Sequence, residues 1–375
     1  MALFLLPYRL RGVIYGTVDS ATDTRKARRG RKRPGQHFRQ SRAWNTFPVE
    51  DLSKITEDDA KALFRKMRWP ETDGSPVCPH CGSHEHWELK NQGRWKCRAS
   101  TCRKQFSITS GTIFAHRKLS FKQILIAARA FCQGAKGNTG IDVSGDVGCT
   151  YKTAYVLQHK FREGMRHSMR DLRLEGEVEI DGGWFGGYIK PENRKVNRVD
   201  RRLKANQNGK RRVVVGARER GENGRMIVGV FDGEDQAQAW LSERVDTMAL
   251  VYADEAPAWD DIHATHKAHR VNHSELYATG ERNVINTNQM ESFFSRLRRF
   301  EIGTHHHVSG RYLLRYANDG AWRETNRRVD HRGQAHRILQ SGLAAPQSRS
   351  FSGYWQRGSA NHIDDLCEDV FAAFR

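Results

Sequence analysis

Four cysteines place the tightest constraint on this chain: Cys78-Pro79-His80-Cys81, then fifteen residues, then Cys97-Arg98-Ala99-Ser100-Thr101-Cys102. Two cysteine pairs on tight turns, joined by a short hairpin, can set four thiolates tetrahedrally around Zn2+. Trp87 and Trp95, between the pairs, suit the strands of that hairpin. The spacing predicts a zinc ribbon with Cys78, Cys81, Cys97 and Cys102 as ligands, and with His80, His84 and His86 as alternative donors. Four protein ligands close such a site, so it contributes folding energy rather than catalysis. The remaining three of the seven cysteines, Cys132, Cys149 and Cys367, are scattered. No signal-peptide pattern and no apolar run of ~18 residues is present. The chain therefore reads as intracellular, where thiols stay reduced.

Charge narrows the partners. With 63 Lys and Arg against 43 Asp and Glu, the net charge is +20. A basic excess favours polyanions, because each neutralised phosphate releases counterions. The densest cluster, Arg25, Lys26, Arg28, Arg29, Arg31, Lys32 and Arg33, lacks apolar periodicity and reads either as a DNA-binding arm or as a solvated leader.

Periodicity divides the 375 residues into five parts. Residues 1–45 form the basic leader. A short helical pattern and the ribbon occupy 46–118, a helical segment 119–170, a strand-rich α/β or α+β region 171–330, and a weakly patterned tail 331–375. Phe121, Ile124, Leu125, Ala128 and Phe131 share one helix face. Residues 140–161 fit a helix-turn-helix with its turn near Val147-Gly148-Cys149, which would direct Lys152 and Lys160 toward DNA. An ordinary helical hairpin fits the same pattern. Two apolar runs, 212–217 and 226–231, flank a Gly221-Glu222-Asn223-Gly224 turn, a hairpin signal. Residues 190–212 read as an exposed basic loop.

Three acidic segments stand out against this basic background: Val178-Glu179-Ile180-Asp181, Val251-Tyr252-Ala253-Asp254-Glu255 and Asn288-Gln289-Met290-Glu291. Asp181 and Asp254 each close a strand pattern, and read either as ligands at neighbouring strand ends or as turn residues. Gly182 and Gly183 would let a backbone or substrate approach closely. Glu291 falls on a helix whose apolar stripe is Met290, Phe293, Phe294 and Leu297, with Asn288, Ser295 and Arg298 beside it on a polar stripe. A capping box between Asn288 and Glu291 is the local rival. Converging carboxylates suit Mg2+ or Mn2+, hard cations that prefer oxygen. Two such ions about 4 Å apart activate a nucleophile and stabilise a leaving 3′ oxygen.

Larger motifs point the same way. They are Cys97-x4-Cys102-Arg103-Lys104-Gln105-Phe106-Ser107 running into Thr109-Ser110-Gly111-Thr112-Ile113-Phe114, the stretch 286–299, Gly303-Thr304-His305-His306, Tyr312-Leu313-Leu314-Arg315-Tyr316 and the stretch 323–328. Together they resemble the bacterial insertion-sequence transposases of DDE type with an N-terminal zinc ribbon and helix-turn-helix, over residues 46–330. The resemblance implies an RNase H-like mixed-sheet catalytic domain preceded by the ribbon and a helical DNA-binding segment. It implies Asp181, Asp254 and Glu291 as the catalytic, Mg2+-binding triad, with Asn288 as an alternative ligand or helper. It also implies that an element moves by hydrolysis and strand transfer at its terminal repeats.

Arg298 stands where Lys is usual and keeps the charge; with Arg299 it is expected to meet DNA. The x4 second knuckle is expected to weaken the ligand geometry, and Asn318-Asp319-Gly320 to loosen a helix. His273 fits the family pattern as a core histidine. The expected partners are double-stranded DNA, as element ends and target, and further copies of the chain in a DNA-dependent homo-oligomer. The expected location is the cytoplasm, at the nucleoid. Two rival functions are a metal-dependent nuclease or resolvase that cuts without joining, and a non-catalytic zinc-ribbon regulator.

Overall fold

The computed structural model describes residues 37–187, 192–200, 203–206, 208–254, 256–271 and 285–353. Helices α1 (Val49–Lys54) and α2 (Glu57–Arg68) lead into ribbon strands β1 (His86–Leu89), β2 (Arg94–Cys97) and β3 (Gln105–Phe106), an antiparallel sheet in that order. Helices α3 (Phe121–Gln133), α4 (Gly140–Val147) and α5 (Tyr151–Ser168) follow. Ser120 with Gln123, and Thr139 with Asp142, close capping boxes that start α3 and α4. Gly148 ends α4 with a φ of 68°, and the Thr150 hydroxyl then accepts the Thr153 N–H to start α5. The helix–turn–helix chain path is therefore present.

The second sheet is built from β4 (Glu177–Gly186), β5 (Arg211–Glu219), β6 (Met226–Phe231), β7 (Leu250–Asp254) and β8 (Lys267–Val271), in the order β6-β5-β4-β7-β8. Strands β4, β5 and β6 form an antiparallel meander around the expected hairpin, while β7 and β8 run parallel to β4. Helix α6 (Gln238–Arg244) precedes β7, and α7 (Asn288–Gly303) and α8 (Gly310–Thr325) follow β8. Period-2 alternation buries the two sheet faces in different cores. Val178, Ile180, Val213 and Val215 pack with Trp240, Leu241 and Trp259. On the other face, Phe185, Val214, Val228 and Val230 pack with Met290, Phe293, Phe294 and Leu297 of α7 and Leu313 of α8.

A third core joins α2, α3 and α5 to the ribbon through Trp95, Cys97 and Phe106. It also contains a helix that the reading of 331–375 as a weakly patterned tail did not anticipate, α9 (His331–Ala344). Its buried face is His331, Gln334, Ala335, Ile338, Leu339, Gly342 and Leu343. The helical spacing is regular, but His, Gln and Gly occupy three of the seven core positions, which hides the stripe. Gly164 of α5 permits the contact with α9: a Cβ there would lie 2.9 Å from the Gly342 nitrogen.

The expected loosening at Asn318-Asp319-Gly320 is also corrected. Helix α8 runs through all three residues. Asp319 is fully buried between Arg162 of α5 at 3.0 Å and Arg323 at 2.7 Å, and Gly320 makes room for Phe293 and Leu297. His273, Cys367 and the basic cluster at 25–33 lie outside the described residues. No described helix is long and apolar enough to cross a membrane.

Candidate functional site

In the ribbon, each knuckle is a closed turn. Gly82 N–H donates to the Cys78 carbonyl at 2.9 Å, and Cys102 and Arg103 N–H both donate to the Ala99 carbonyl, at 3.0 and 3.1 Å. The four sulfurs converge: Cys78 and Cys102 Sγ are 3.8 Å apart, Cys81 and Cys97 Sγ 3.5 Å, and all four lie within 4.8 Å of one another. Zn–S bonds of ~2.3 Å in a tetrahedron need S–S edges of about 3.8 Å, so the convergence of the four sulfurs fits a zinc site. The x4 knuckle therefore costs no convergence, because its turn tightens around Ala99. Among the described residues no other His, Cys, Asp or Glu group gathers this closely, so His80, His84 and His86 are not substitutes. Trp95 is buried in the ribbon core, whereas Trp87 is exposed beneath the guanidinium groups of Arg98 and Arg103.

The carboxylates occupy the second sheet. Asp181 lies within β4 rather than at its end, because Gly182 and Gly183 stay extended and pair with Val215 and Val214 of β5. Parallel pairing of β4 with β7 sets Glu177 opposite Leu250 and Glu179 opposite Tyr252. Two residues further along each strand stand Asp181 and Asp254, level on neighbouring strands. Asp181 is paired with Gly216, and both belong to the face covered by α7. That helix sits close because glycines lie beneath Met290 and Phe294: a Cβ on Gly216 would lie 2.6 Å from Met290 Cε, and one on Gly183 2.7 Å from Phe294 Cδ1. Glu291, next to Met290, thereby reaches the neighbourhood of Asp181.

Electrostatics register this crowding. Burial, together with the charges of Asp254, Glu234 and Glu291, pushes the Asp181 carboxyl up to about 7; a 2.7 Å hydrogen bond from Gly182 N–H opposes the shift. Glu234 is a fourth carboxylate that sequence reasoning missed. It begins a 3-10 turn after β6, and a Cβ on Gly182 would lie 2.5 Å from its Oε1. Burial and the charges of Asp254 and Asp235 raise its pKa. The only local signal is a carboxylate directly after Asp232-Gly233, which also reads as an ordinary turn.

Helix α7 starts at Asn288 with Thr287 as its N-cap, so Asn288 and Glu291 do not form the rival capping box. Asn288 and Glu291 are both exposed, one turn apart, and Arg298 and Arg299 are exposed two turns further on. Arg298 stands over the Phe185 ring at 5.8 Å. Lys152 is exposed at the start of α5. Lys160, expected to point outward, is half-buried; desolvation lowers its pKa and Glu163 partly offsets this.

Residues 173–325 match the ISXO2-like transposase domain, and residues 55–105 match the transposase zinc-ribbon domain. The chain belongs to the insertion-sequence transposases of DDE type with an N-terminal zinc ribbon. No curated protein and no solved structure matches it. The first match encloses Asp181, Asp254 and Glu291, and the second encloses all four ribbon cysteines. The transposase's mixed sheet is accordingly RNase H-like, and its ribbon supports Zn2+. A divalent cation suits the carboxylate site as well: burial, and then the nearby charges of Asp254, Glu234 and Glu291, raise the Asp181 carboxyl to about 7, a cost that a bound cation would offset.

Proposed function

We propose that this transposase binds the terminal inverted repeats of a mobile element and catalyses metal-dependent strand cleavage and strand transfer. The reading rests above all on Asp181, a buried carboxyl on β4 whose pKa is raised first by burial and then by the nearby charges of Asp254, Glu234 and Glu291 from separate elements. In this reading those three residues hold Mg2+ or Mn2+, with Asn288 beside Glu291 as the alternative third ligand. Bound cations supply Lewis-acid stabilisation of the attacking and leaving oxygens.

In the first step a water oxygen bonds to phosphorus as the P–O3′ bond breaks, freeing a 3′-OH. In the second, that 3′ oxygen attacks a target phosphodiester and displaces its 3′ oxygen. Arg298 and Arg299 neutralise phosphate near the carboxylates, and Lys152 contacts the backbone from the second helix of the helix-turn-helix, with Lys160 contributing less because of its burial. Functionally, residues 46–118 and 119–170 serve DNA binding and 171–330 serve chemistry. The transposase acts as a DNA-dependent oligomer at the nucleoid.

Cleavage and joining of end-repeat DNA in Mg2+ test this reading. Asp181→Asn, Asp254→Asn and Glu291→Gln are each expected to lose about a hundredfold or more in rate. Wild-type rates in any one of them remove that residue from the triad. Cleavage without joining by the unaltered protein makes it a nuclease instead.

A further inference from the structure

Glu179 lies two residues before Asp181 on β4 and is 1% exposed. Its position on a strand ordinarily calls for an apolar residue. One carboxylate oxygen accepts the backbone N–H groups of Gln289, at 2.9 Å, and Met290, at 3.2 Å. The other accepts Arg220 Nε at 3.0 Å. Helix α7 receives no side-chain bond from its own N-cap, Thr287. Glu179 therefore satisfies two of the four orphan N–H groups at the helix start, with an anion at the positive end of the helix dipole.

Arg220 extends the link. Its guanidinium lies 3.5 Å over the ring of Tyr252, and it donates to the Asn286 carbonyl at 2.5 Å. Tyr252 is the β7 residue opposite Glu179. One buried carboxylate and its arginine thus join β4, the end of β5, β7 and the start of α7. Each candidate catalytic carboxylate stands one or two residues beyond this junction: Asp181 after Glu179, Asp254 after Tyr252 and Glu291 after Met290.

We propose that Glu179 is a positioning residue, which fixes the start of α7 on the sheet and so sets Glu291 against Asp181 and Asp254. The proposal rests on the catalytic reading above. What matters in it is the reach of the acceptor to the two α7 amides. Glu179→Gln keeps that reach and gives up the charge. Glu179→Asp keeps the charge beside Arg220 and withdraws the acceptor by one methylene.

The full-length protein separates these possibilities through two readouts: Mn2+ affinity by titration calorimetry without DNA, and the kcat and KM for cleavage of end-repeat duplex. Glu179→Asp is expected to weaken Mn2+ binding and lower kcat by about 10- to 100-fold each, with KM for DNA unchanged. Glu179→Gln is expected to recover most of that loss. Glu179→Asp matching the unaltered protein in both readouts overturns the proposal, as does Glu179→Gln being the more impaired of the two. Asp181→Asn serves as the control: if it cleaves at full rate, the catalytic reading itself fails, whereas an inactive Asp181→Asn beside a fully active Glu179→Asp sinks only the positioning role.

Discussion

At Asp181 a carboxyl with an ordinary pKa of 3.8 is raised to about 7 by burial and by three neighbouring acids. Because the folded state holds this proton more tightly than the unfolded chain, the charged form opposes folding. That cost is absent below pH 3.8, grows as pH rises, and is complete above about 7. A divalent cation relieves it, but below about pH 7 the cation must first displace the proton. Mn2+ is therefore expected to raise the unfolding temperature more at pH 8 than at pH 6, measured by differential scanning calorimetry. Asp181→Asn is expected to be the more stable protein without metal at pH 8 and to lose that pH dependence. A larger Mn2+ effect at pH 6 would contradict this account.

Individual residues differed in how far the sequence revealed them. The ribbon cysteines and the Met290, Phe293, Phe294 and Leu297 stripe were legible because spacing alone places them. Glu179 was not, since its helix partners lie 110 and 111 positions away. Glu234 was not, because a carboxylate in a short turn carries no period. Asp181 was found but set at a strand end, since glycines ordinarily punctuate strands, and here β5 pairs with them instead.

Among the elements, α8 bears on both halves of the protein. It packs on the sheet through Leu313, Leu314, Ala317 and Ala321, and enters the helical core through Trp322. One polar tie to α5 is Arg315, paired with Glu163 at 2.8 Å; another is Asp319, shared by Arg162 and Arg323, with all three side chains at most 5% exposed. Removing the carboxylate leaves two buried guanidinium groups without their counter-ion. Asp319→Ala is expected to destabilise the protein by about 3–5 kcal/mol, read from urea unfolding. A change below about 1 kcal/mol would show that the network is not coupled to folding. The position resembled a helix-loosening departure in sequence because Asn, Asp and Gly are poor helix formers. Tertiary burial overrides that propensity.

The ribbon makes a comparable point. Trp95, Cys97 and Phe106 share a core with α2, α3, α5 and α9, so the metal supports more than its own hairpin. Zinc release by a chelator, or Cys102→Ser, is expected to lower the main unfolding transition and not merely add a small early one. Calorimetry alongside colorimetric zinc release checks this. A separate ribbon transition with the main one unmoved would refute it.

Taken as one molecule, the chain sets an anionic centre inside a protein of net charge +20. In the proposed reading the basic excess draws in DNA, and the carboxylates need cations to accept its phosphates. Fold class, the ribbon and the family were legible from the sequence, because cysteine spacing, strand alternation and a helical stripe are local patterns. Asp181, Asp254 and Glu291 were expected to converge, but the sheet register and the glycines beneath α7 that bring them near one another were not legible. Iron(II)-directed oxidative cleavage of the metal-free carboxylate site tests that convergence most directly. With Fe2+ and peroxide, backbone cuts are expected near Asp181, Asp254 and Glu291 together, and Mg2+ is expected to suppress all three in parallel. Cuts at only one of these positions, or cuts that Mg2+ does not suppress, would contradict a shared metal site.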